Sequence, residues 1–303
     1  MAFTAADVKA LRESTGAGMM DCKKALASSD GDMEKAMEFL REKGLAAAAK
    51  KAGRIAAEGM VYGMATADAG VVVEINSETD FVAKNADFQK FAADVAETIL
   101  ANKPADVDAL AGCKCVGSDM TVAEALQEKV LTIGENIKIR RFAICEGGVN
   151  VTYMHMGGKI GVLINMEVSD NLKANDAVVA LGRGVAMQIA AMSPSWLTSS
   201  EVPEDVLAKE KEILTAQAMN EGKPQAVAEK MVMGRIKKFY AENCLLEQEY
   251  VQGDKISVSQ HIANVAKELG GEIKITKFVR FEKGEGLEKR EDNFAEEVAS
   301  MMK

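Results

Sequence analysis

The apolar and polar positions of the first 55 residues predict a compact unit of three short helices. Thr4 and Asp7 have the spacing of a helix start, and the glycines of "STGAGMMD" end the first helix. Asp21 is predicted to cap the second helix, and "DGD" at 30–32 is predicted to start the third, which we expect to end at Gly44. The basic, alanine-rich stretch that follows, "AAAAKKAGRIAAEG", predicts a helical tether to the rest of the chain.

The body of the chain contains an internal repeat. A gapless shift of 91 residues places "VYGMATADAGVVVEINSETDF" on "TYMHMGGKIGVLINMEVSDNL", so that Tyr62 matches Tyr153 and Gly70 matches Gly161. A second shift, of 136 residues, places "TVAEALQEKVLTIGENIKIRRF" on "SVSQHIANVAKELGGEIKITKF". Each copy has the pattern strand, turn, strand, helix, helix, strand. The sequence therefore predicts an α+β fold with a duplicated core of antiparallel sheets.

The two shifts differ by 45 residues, which indicates an insertion of that length in the second copy. Pro203 begins one helical pattern in the insertion and "NEGKP" at 220–224 separates it from another, so we predict an antiparallel helical hairpin at 198–243. The predicted units are an N-terminal three-helix domain with its tether (1–55), a first core half (56–148), a second core half carrying the hairpin (149–284) and a C-terminal helical module (285–303).

The stretch "NSETDFVAKN" places Asp80 and Phe81 side by side just after the apolar run "VVVEI". Phe81 either folds back under the following helix or presents its ring to a partner. The gapless shift puts Asp170, Asn171 and Leu172 at the equivalent place, so the two copies share a scaffold and differ in the residues after the strand. This difference favours a functional role for Asp80 and Phe81.

Composition narrows the function classes. The formal charge is −9, which disfavours a nucleic-acid partner because phosphate contacts require an excess of Lys and Arg. The five cysteines are an odd number without paired zinc-ligand spacing, so we predict neither disulfides nor a metal site. The N-terminus has no basic segment followed by an apolar run, and no apolar stretch approaches membrane-spanning length. We therefore expect a cytoplasmic protein without membrane contact.

Motifs for catalysis are missing from the sequence. It has no phosphate-binding loop, no dinucleotide fingerprint and no nucleophile elbow, and its two histidines leave little room for a nucleophile with its base. We predict that the chain is not an enzyme and holds no cofactor. Met19 and Met20, beside Arg12, suit a protein-binding surface, although both methionines equally suit the bundle core. His155 lies in a turn, "YMHMGGK", and is a further interaction candidate.

The motifs "LRESTGAGMMDCKKAL", "TDFVAKN", "IGENIKIRR", "HMGGKIGVL", "GKPQAVAEKMVMGRIKKFY" and "VRFEKGEG", in this order, resemble bacterial elongation factor Ts over essentially the whole chain. The resemblance implies a guanine nucleotide exchange factor for elongation factor Tu. It also implies an N-terminal module similar to ubiquitin-associated domains, a two-part core, an inserted coiled-coil hairpin and a C-terminal module.

The resemblance also implies where the partner is contacted. The four residues implied beside the magnesium and phosphate site of the partner are Thr79, Asp80, Phe81 and Val82. The N-terminal module is expected to contact the same partner domain, and the second half of the core another one. The residues implied in these two contacts are Arg12, Met19 and Met20, and Ile133, Gly134 and His155. Asp80 either orients Phe81 through hydrogen bonds or adds negative charge near the phosphates.

Several other functions are compatible with the sequence. The N-terminal helices alone are compatible with a helical protein-binding adaptor that has no exchange activity. An enzyme of unfamiliar type and a ribosome- or RNA-binding protein fit the composition less well. The hairpin can pair with a second copy or with a partner, which allows a homodimer or a heterotetramer.

Overall fold

The computed structural model describes residues 3–15, 17–222, 224–253 and 255–289. Its first unit consists of α1 (Ala5–Thr15), α2 (Met19–Ser28) and α3 (Met33–Lys51). The three helices pack around buried residues, which are Leu11, Ala17, Cys22, Ala25, Leu26, Ala36 and Leu40. The predicted three-helix bundle is therefore confirmed.

Two of the predicted helix starts are confirmed and one is wrong. The Asp7 amide donates to Thr4 Oγ1 at 3.3 Å, the Thr4 amide donates to Asp7 Oδ2 at 2.7 Å, and Asp32 caps α3. Asp21 does not cap α2, because this helix begins earlier, after Gly18, with Asp21 in its first turn. The carboxylate of Asp21 instead forms an ion pair with Lys43 of α3.

The first repeat forms a three-stranded antiparallel sheet with helices packed on one face. Its strands are β1 (Glu58–Ala65), β2 (Ala69–Ser77) and β3 (Lys138–Glu146), in the order β1-β2-β3. Between β2 and β3 lie α4 (Asp80–Ala83), α5 (Ala86–Asn102), α6 (Val107–Ala111) and α7 (Val122–Ile133). All nine residues of β2 are buried, because this strand is central in the sheet.

The second repeat has the same architecture. Its strands are β4 (Val149–His155), β5 (Ile160–Val168) and β6 (Ile273–Glu282), in the order β4-β5-β6. Its helices are α8 (Asp176–Met192), α9 (Glu204–Asn220), α10 (Gln225–Asn243) and α11 (Val258–Leu269). Even the strand irregularities coincide, since the central strands shift register at Glu74/Ile75 and at Asn165/Met166. The predicted duplication is confirmed.

The structure corrects the gapless alignment just after the central strands. Asn85 caps α5 and Asn175 caps α8, which is a separation of 90 residues rather than 91. The first copy therefore has one residue more between its central strand and the following long helix. As a result Leu172 matches Val82, and Asn171 matches Phe81, whereas the gapless shift paired Leu172 with Phe81.

The two sheets pack face to face, and glycines allow them to approach closely. Four buried residues form the centre of this interface: Val61, Val72, Cys145 and Leu163. A Cβ at Gly63 would lie 2.6 Å from Met154 Cε, and one at Gly70 would lie 2.6 Å from Leu163 Cδ1. Larger residues at these positions would separate the sheets. The helices of each repeat thus cover the outer faces of a two-sheet core.

The bundle is joined to the first repeat through α3. Gly44 does not end this helix, contrary to the prediction, because α3 continues to Lys51. Gly44 faces α7, where a Cβ would lie 3.6 Å from the carbonyl oxygen of Gln127, in ordinary van der Waals contact. Lys51 Nζ donates to the Val130 carbonyl of α7 at 3.3 Å. The first part of the predicted tether is therefore a continuation of α3.

The inserted segment forms the helical hairpin that the sequence predicts. Pro203 precedes α9 and Pro224 precedes α10, and the two helices pack against each other. The residues of the insertion buried within its helices are Ala218, Ala228, Val232 and Ile236. Of the predicted C-terminal helical module, residues 285–289 form turns and irregular chain, and residues 290–303 lie outside the described residues. Within the ranges described, no helix is long and apolar enough to cross a membrane.

Candidate partner-binding site

Phe81 projects into solvent from a short helix at the end of the central strand of the first repeat. Strand β2 ends at Ser77, Thr79 is the N-cap of α4, and the side chain of Phe81 is 75% exposed. The next residue, Val82, is 6% exposed and packs in the core below β2. Of the two alternatives for Phe81, packing under the following helix is wrong, because Val82 occupies that place. We call residues 79–82 the tip.

The base of the tip is fixed by the carboxylate of Glu135, which follows α7. Glu135 Oε2 accepts hydrogen bonds from the backbone amides of Glu78 at 3.0 Å and Thr79 at 2.9 Å. Glu135 Oε1 accepts from the hydroxyl of Thr79 at 2.6 Å. Hydrogen bonds to an ionised acceptor are stronger than those between neutral groups. The backbone immediately before Asp80 and Phe81 is therefore held at three points.

Glu78 in turn accepts hydrogen bonds from the chain that follows α7 and from the chain that follows α3. Its carboxylate accepts from the backbone amide of Asn136 at 2.6 Å and from the guanidinium of Arg54 at 3.3 Å. The amide side chain of Asn136, which is buried, donates to the carbonyl of Arg54 at 2.7 Å. The tip, the end of α7 and the chain after α3 are thus joined in one hydrogen-bonded network. We call Glu78 and Glu135 the carboxylate clamp.

Charges around the clamp influence Lys51, the last residue of α3. Burial lowers the pKa of the Lys51 ammonium, and the nearby positive charge of Arg54 lowers it further, while Glu78 and Glu135 act in the opposite direction. The end of α3 therefore lies within electrostatic range of both carboxylates. The end of α3 in the N-terminal bundle and the base of the tip therefore lie next to each other.

Asp80 does not orient the tip through backbone hydrogen bonds in this structure. Its carboxylate accepts from Lys84 Nζ at 3.4 Å, in a pair whose two side chains are more than half exposed. Lys84 Nζ also lies 5.7 Å from the centroid of the Phe81 ring. Such an exposed pair holds a side chain weakly. The backbone before the tip is held by Glu135 rather than by Asp80, and the carboxylate of Asp80 is more than half exposed to solvent.

The structure places the three residues predicted for the second core half in two different repeats. Ile133 ends α7, and Gly134 caps that helix in a left-handed conformation with φ of 86°. Both precede Glu135 directly, so they lie beside the tip in the first repeat. His155 ends β4 in the second repeat, and its Nδ1 lies 3.0 Å from the hydroxyl of Tyr153. Only His155 therefore belongs to the second half of the core.

The N-terminal candidates form a surface on the bundle. Met19 is 59% exposed and Met20 is 63% exposed, so the core alternative is wrong for both methionines. Arg12 is exposed on the neighbouring helix α1. Large flexible apolar side chains left in solvent are typical of surfaces that bind another protein.

The described residues offer no arrangement for a metal ion, since no three His, Cys, Asp or Glu side chains among them come together. The cysteines are free thiols, four buried and one half-buried.

Sequence reasoning missed the clamp. Glu78 and Glu135 are ordinary acidic residues in loops, separated by 57 positions, and hydrogen bonds to backbone amides leave no residue-type signal at the donor. One signal was present in the repeat itself. The shift of 136 residues places Glu135 opposite Gly271, so a charged residue in the first copy has no counterpart in the second.

Comparisons with known proteins agree with one another. The family model described as Elongation factor TS matches residues 78–285. Elongation factor Ts of Syntrophotalea carbinolica is 51% identical over 306 residues, covering 100% of both chains. Elongation factor Ts of Clostridioides difficile is 53% identical over 305 residues, and that of Clostridium perfringens strain SM101 is 53% identical over 304 residues, each covering 99% of both chains. The chain belongs to the elongation factor Ts family and is a nucleotide exchange factor of translation elongation, not a catalytic enzyme.

Proposed function

We propose that this protein promotes release of GDP from elongation factor Tu by inserting its tip beside the magnesium and phosphate site of that partner. The observation that supports the proposal best is the 75% exposure of Phe81 on a helix whose base is fixed by the carboxylate clamp. An exposed aromatic ring on a rigid support suits insertion into another protein, because little conformational freedom is lost on binding.

The physical effect follows from the demands of magnesium. The ion requires near-ideal octahedral oxygen geometry and bridges the nucleotide phosphates to the partner protein. Displacing the partner's elements around the ion by about 1 Å therefore weakens several ligands at once. In this proposal Phe81 is the apolar wedge, Val82 anchors the tip in its own core, and Asp80 places a negative charge near anionic phosphates.

Repeated action requires no bond chemistry. If the exchange factor lowers the affinity of the partner for nucleotide, then nucleotide lowers the affinity of the partner for the factor by the same ratio. GTP entering the partner then displaces the factor, which is free to act again. The chain needs no cofactor and no metal of its own for this cycle.

Two further surfaces complete the proposed contact. Arg12, Met19 and Met20 contact the nucleotide domain of the partner, and Ile133 and Gly134 add to the surface beside the tip. His155, in the second repeat, contacts a different domain. The exposures of Met19 and Met20 support the first of these contacts. Contact on both sides of the tip would hold Phe81 against the partner during insertion.

The setting of this function is also proposed. We infer action in the cytoplasm, without a nucleic-acid or membrane partner, in agreement with the charge of −9. The hairpin exposes apolar side chains, among them Met219 and Met233, which are 53% and 70% exposed. These side chains support pairing of the hairpin with a second copy or with the partner, as a homodimer or a heterotetramer.

Release of fluorescently labelled GDP from purified elongation factor Tu tests the proposal. We expect the full-length protein to accelerate release at substoichiometric amounts, and excess unlabelled GTP to dissociate the complex. A helical adaptor without exchange activity would bind elongation factor Tu and leave the rate of release unchanged. That result would overturn the proposed function.

A further inference from the structure

The two repeats differ at the corner between the central strand and the following helix. Ser77 matches Val168 at a separation of 91 residues, whereas Thr79 and Ser169, which precede the two short helices, are 90 residues apart. The additional residue of the first copy is therefore Glu78. At the same corner Phe81 replaces Asn171 and Glu135 replaces Gly271.

The corner of the second repeat is closed by hydrogen bonds between Ser169 and Glu272. The amide of Ser169 donates to the carbonyl of Glu272 at 3.0 Å, and the amide of Glu272 donates to Ser169 Oγ at 2.8 Å. A side chain at Gly271 has no space, because its Cβ would lie 2.7 Å from Leu172 Cδ1. The chain after α11 therefore packs directly against the corner, and no carboxylate is needed.

The corner of the first repeat is wider by Glu78, and the carboxylate clamp spans it. Pairing of β2 with β1 ends at Ser77, so Glu78 and Thr79 lie beyond the sheet. Glu135 Oε2 accepts from both amides, and Glu78 accepts in turn from the amide of Asn136. The added residue and the carboxylate that accepts from its amide therefore occur together at this corner.

We propose that Glu135 is a positioning residue for nucleotide exchange, acting through Phe81 by holding the start of α4 in one orientation. This inference rests on the proposed function of the tip. A wedge works only if its support resists the force of insertion, and a displacement of about 1 Å in a positioning element can cost roughly a hundredfold in rate. Glu135 does not touch the partner in this proposal.

The test combines two measurements on the full-length protein. Hydrogen exchange at the amides of Glu78 and Thr79 reports the clamp, and the rate of labelled GDP release from elongation factor Tu reports exchange. Glu135→Ala removes all three acceptor contacts, and we expect hydrogen exchange at both amides to accelerate at least about tenfold, because their acceptor is lost. We expect GDP release promoted by this variant to slow by roughly tenfold to a hundredfold.

Three further variants separate positioning from other effects. Glu135→Gln keeps a carbonyl acceptor for the two amides, and its amide group can donate to the hydroxyl of Thr79, so it should stay within about threefold of the wild-type rate. Glu135→Asp keeps the charge but is one methylene shorter, so it should lose rate in the same direction as Glu135→Ala and serves in its place if that variant does not fold. Glu146→Gln removes a carboxylate from an exposed pair with Lys103 and should change neither measurement.

A double variant supplies the decisive comparison. If Glu135 acts through Phe81, then the double variant Glu135→Ala, Phe81→Ala should promote GDP release from elongation factor Tu at the same rate as Phe81→Ala alone.

The positioning role would be overturned if the losses of the two single variants multiplied in the double variant. It would also be overturned if Glu135→Ala changed neither amide exchange nor the promoted GDP release, or left either one unchanged. If Phe81→Ala slows release and Glu135→Ala does not, only the positioning role fails. If Phe81→Ala promotes GDP release at the wild-type rate, the proposed function of the tip fails and the positioning role fails with it.

Discussion

Val82 and Leu172 occupy the same position in the two repeats, and both side chains are buried, with exposures of 6% and 1%. The residue before each of them points away from the core, and it is Phe81 in the first repeat and Asn171 in the second. One buried apolar residue therefore anchors each corner, while its neighbour is free to vary.

This division of roles predicts that two adjacent substitutions differ in their effect on stability. Val82→Ala removes two buried methyl groups and should lower the free energy of unfolding by about 1–3 kcal/mol. Phe81→Ala removes an exposed ring and should change it by less than about 0.5 kcal/mol. Urea denaturation of both variants measures the difference. Equal destabilisation would show that Phe81 packs in the core in solution.

The close approach of the two sheets predicts that Gly161 tolerates no side chain. A Cβ at this position would lie 3.0 Å from Val61 Cβ and closer still to Val61 Cγ1. Gly161→Ala should therefore lower the free energy of unfolding by about 1–3 kcal/mol. Gly234, in the exposed helix α10, has no atom within 4 Å of the corresponding position, so Gly234→Ala should stabilise by up to about 1 kcal/mol. Thermal denaturation compares the two, and a neutral Gly161→Ala would contradict the observed sheet packing.

Glu74 joins the two repeats through a buried charge network. Its carboxylate accepts from Arg140 Nη1 at 3.0 Å, Arg141 Nε at 2.6 Å, Asn76 Nδ2 at 3.0 Å and the Gly284 amide at 2.8 Å. Burial acts to raise the pKa of Glu74, but these hydrogen bonds outweigh it and the pKa lies below its ordinary value. The charged form is therefore the one that stabilises the fold.

The lowered pKa of Glu74 determines how the free energy of unfolding changes with pH. Stability from this carboxylate is present above the pKa of the unfolded chain and is lost as the pH falls through the lower pKa of the folded state. At neutral pH, Glu74→Gln should lower the free energy of unfolding by about 2–4 kcal/mol, less than for a fully buried ion pair because both arginines retain contact with solvent. Denaturation measured from pH 7 downward should show this difference shrinking in the acidic range. A difference that does not change with pH would contradict the role of the charge.

The repeat made most of the fold predictable from the sequence. The strands, the helices and the inserted hairpin were identified from apolar positions that match between the two copies. These positions match because the same faces of the sheet and of its helices are buried in each copy. Gly44 misled the prediction, since a glycine inside a helix cannot be distinguished locally from one that ends a helix. Asp21 misled it similarly, because its partner Lys43 lies on another helix.

The site was predictable only in part, for a related reason. An aromatic residue directly after a buried strand is visible in the sequence, so Asp80 and Phe81 could be selected. The extra residue, Glu78, was hidden by a gapless alignment, which also paired Phe81 with the wrong residue of the second copy. Contacts between the Glu135 side chain and distant backbone amides depend on the fold alone, and only tertiary structure brings them together.

The most direct test of the proposed mechanism compares equivalent residues of the two repeats. Labelled GDP release from elongation factor Tu is measured with wild-type protein, with Phe81→Ala and with Asn171→Ala, at saturating concentrations and after matched melting temperatures have been confirmed. We expect Phe81→Ala to slow the promoted release by at least about tenfold, which corresponds to about 1.4 kcal/mol, while Asn171→Ala keeps the wild-type rate. An undiminished rate with Phe81→Ala would contradict the wedge.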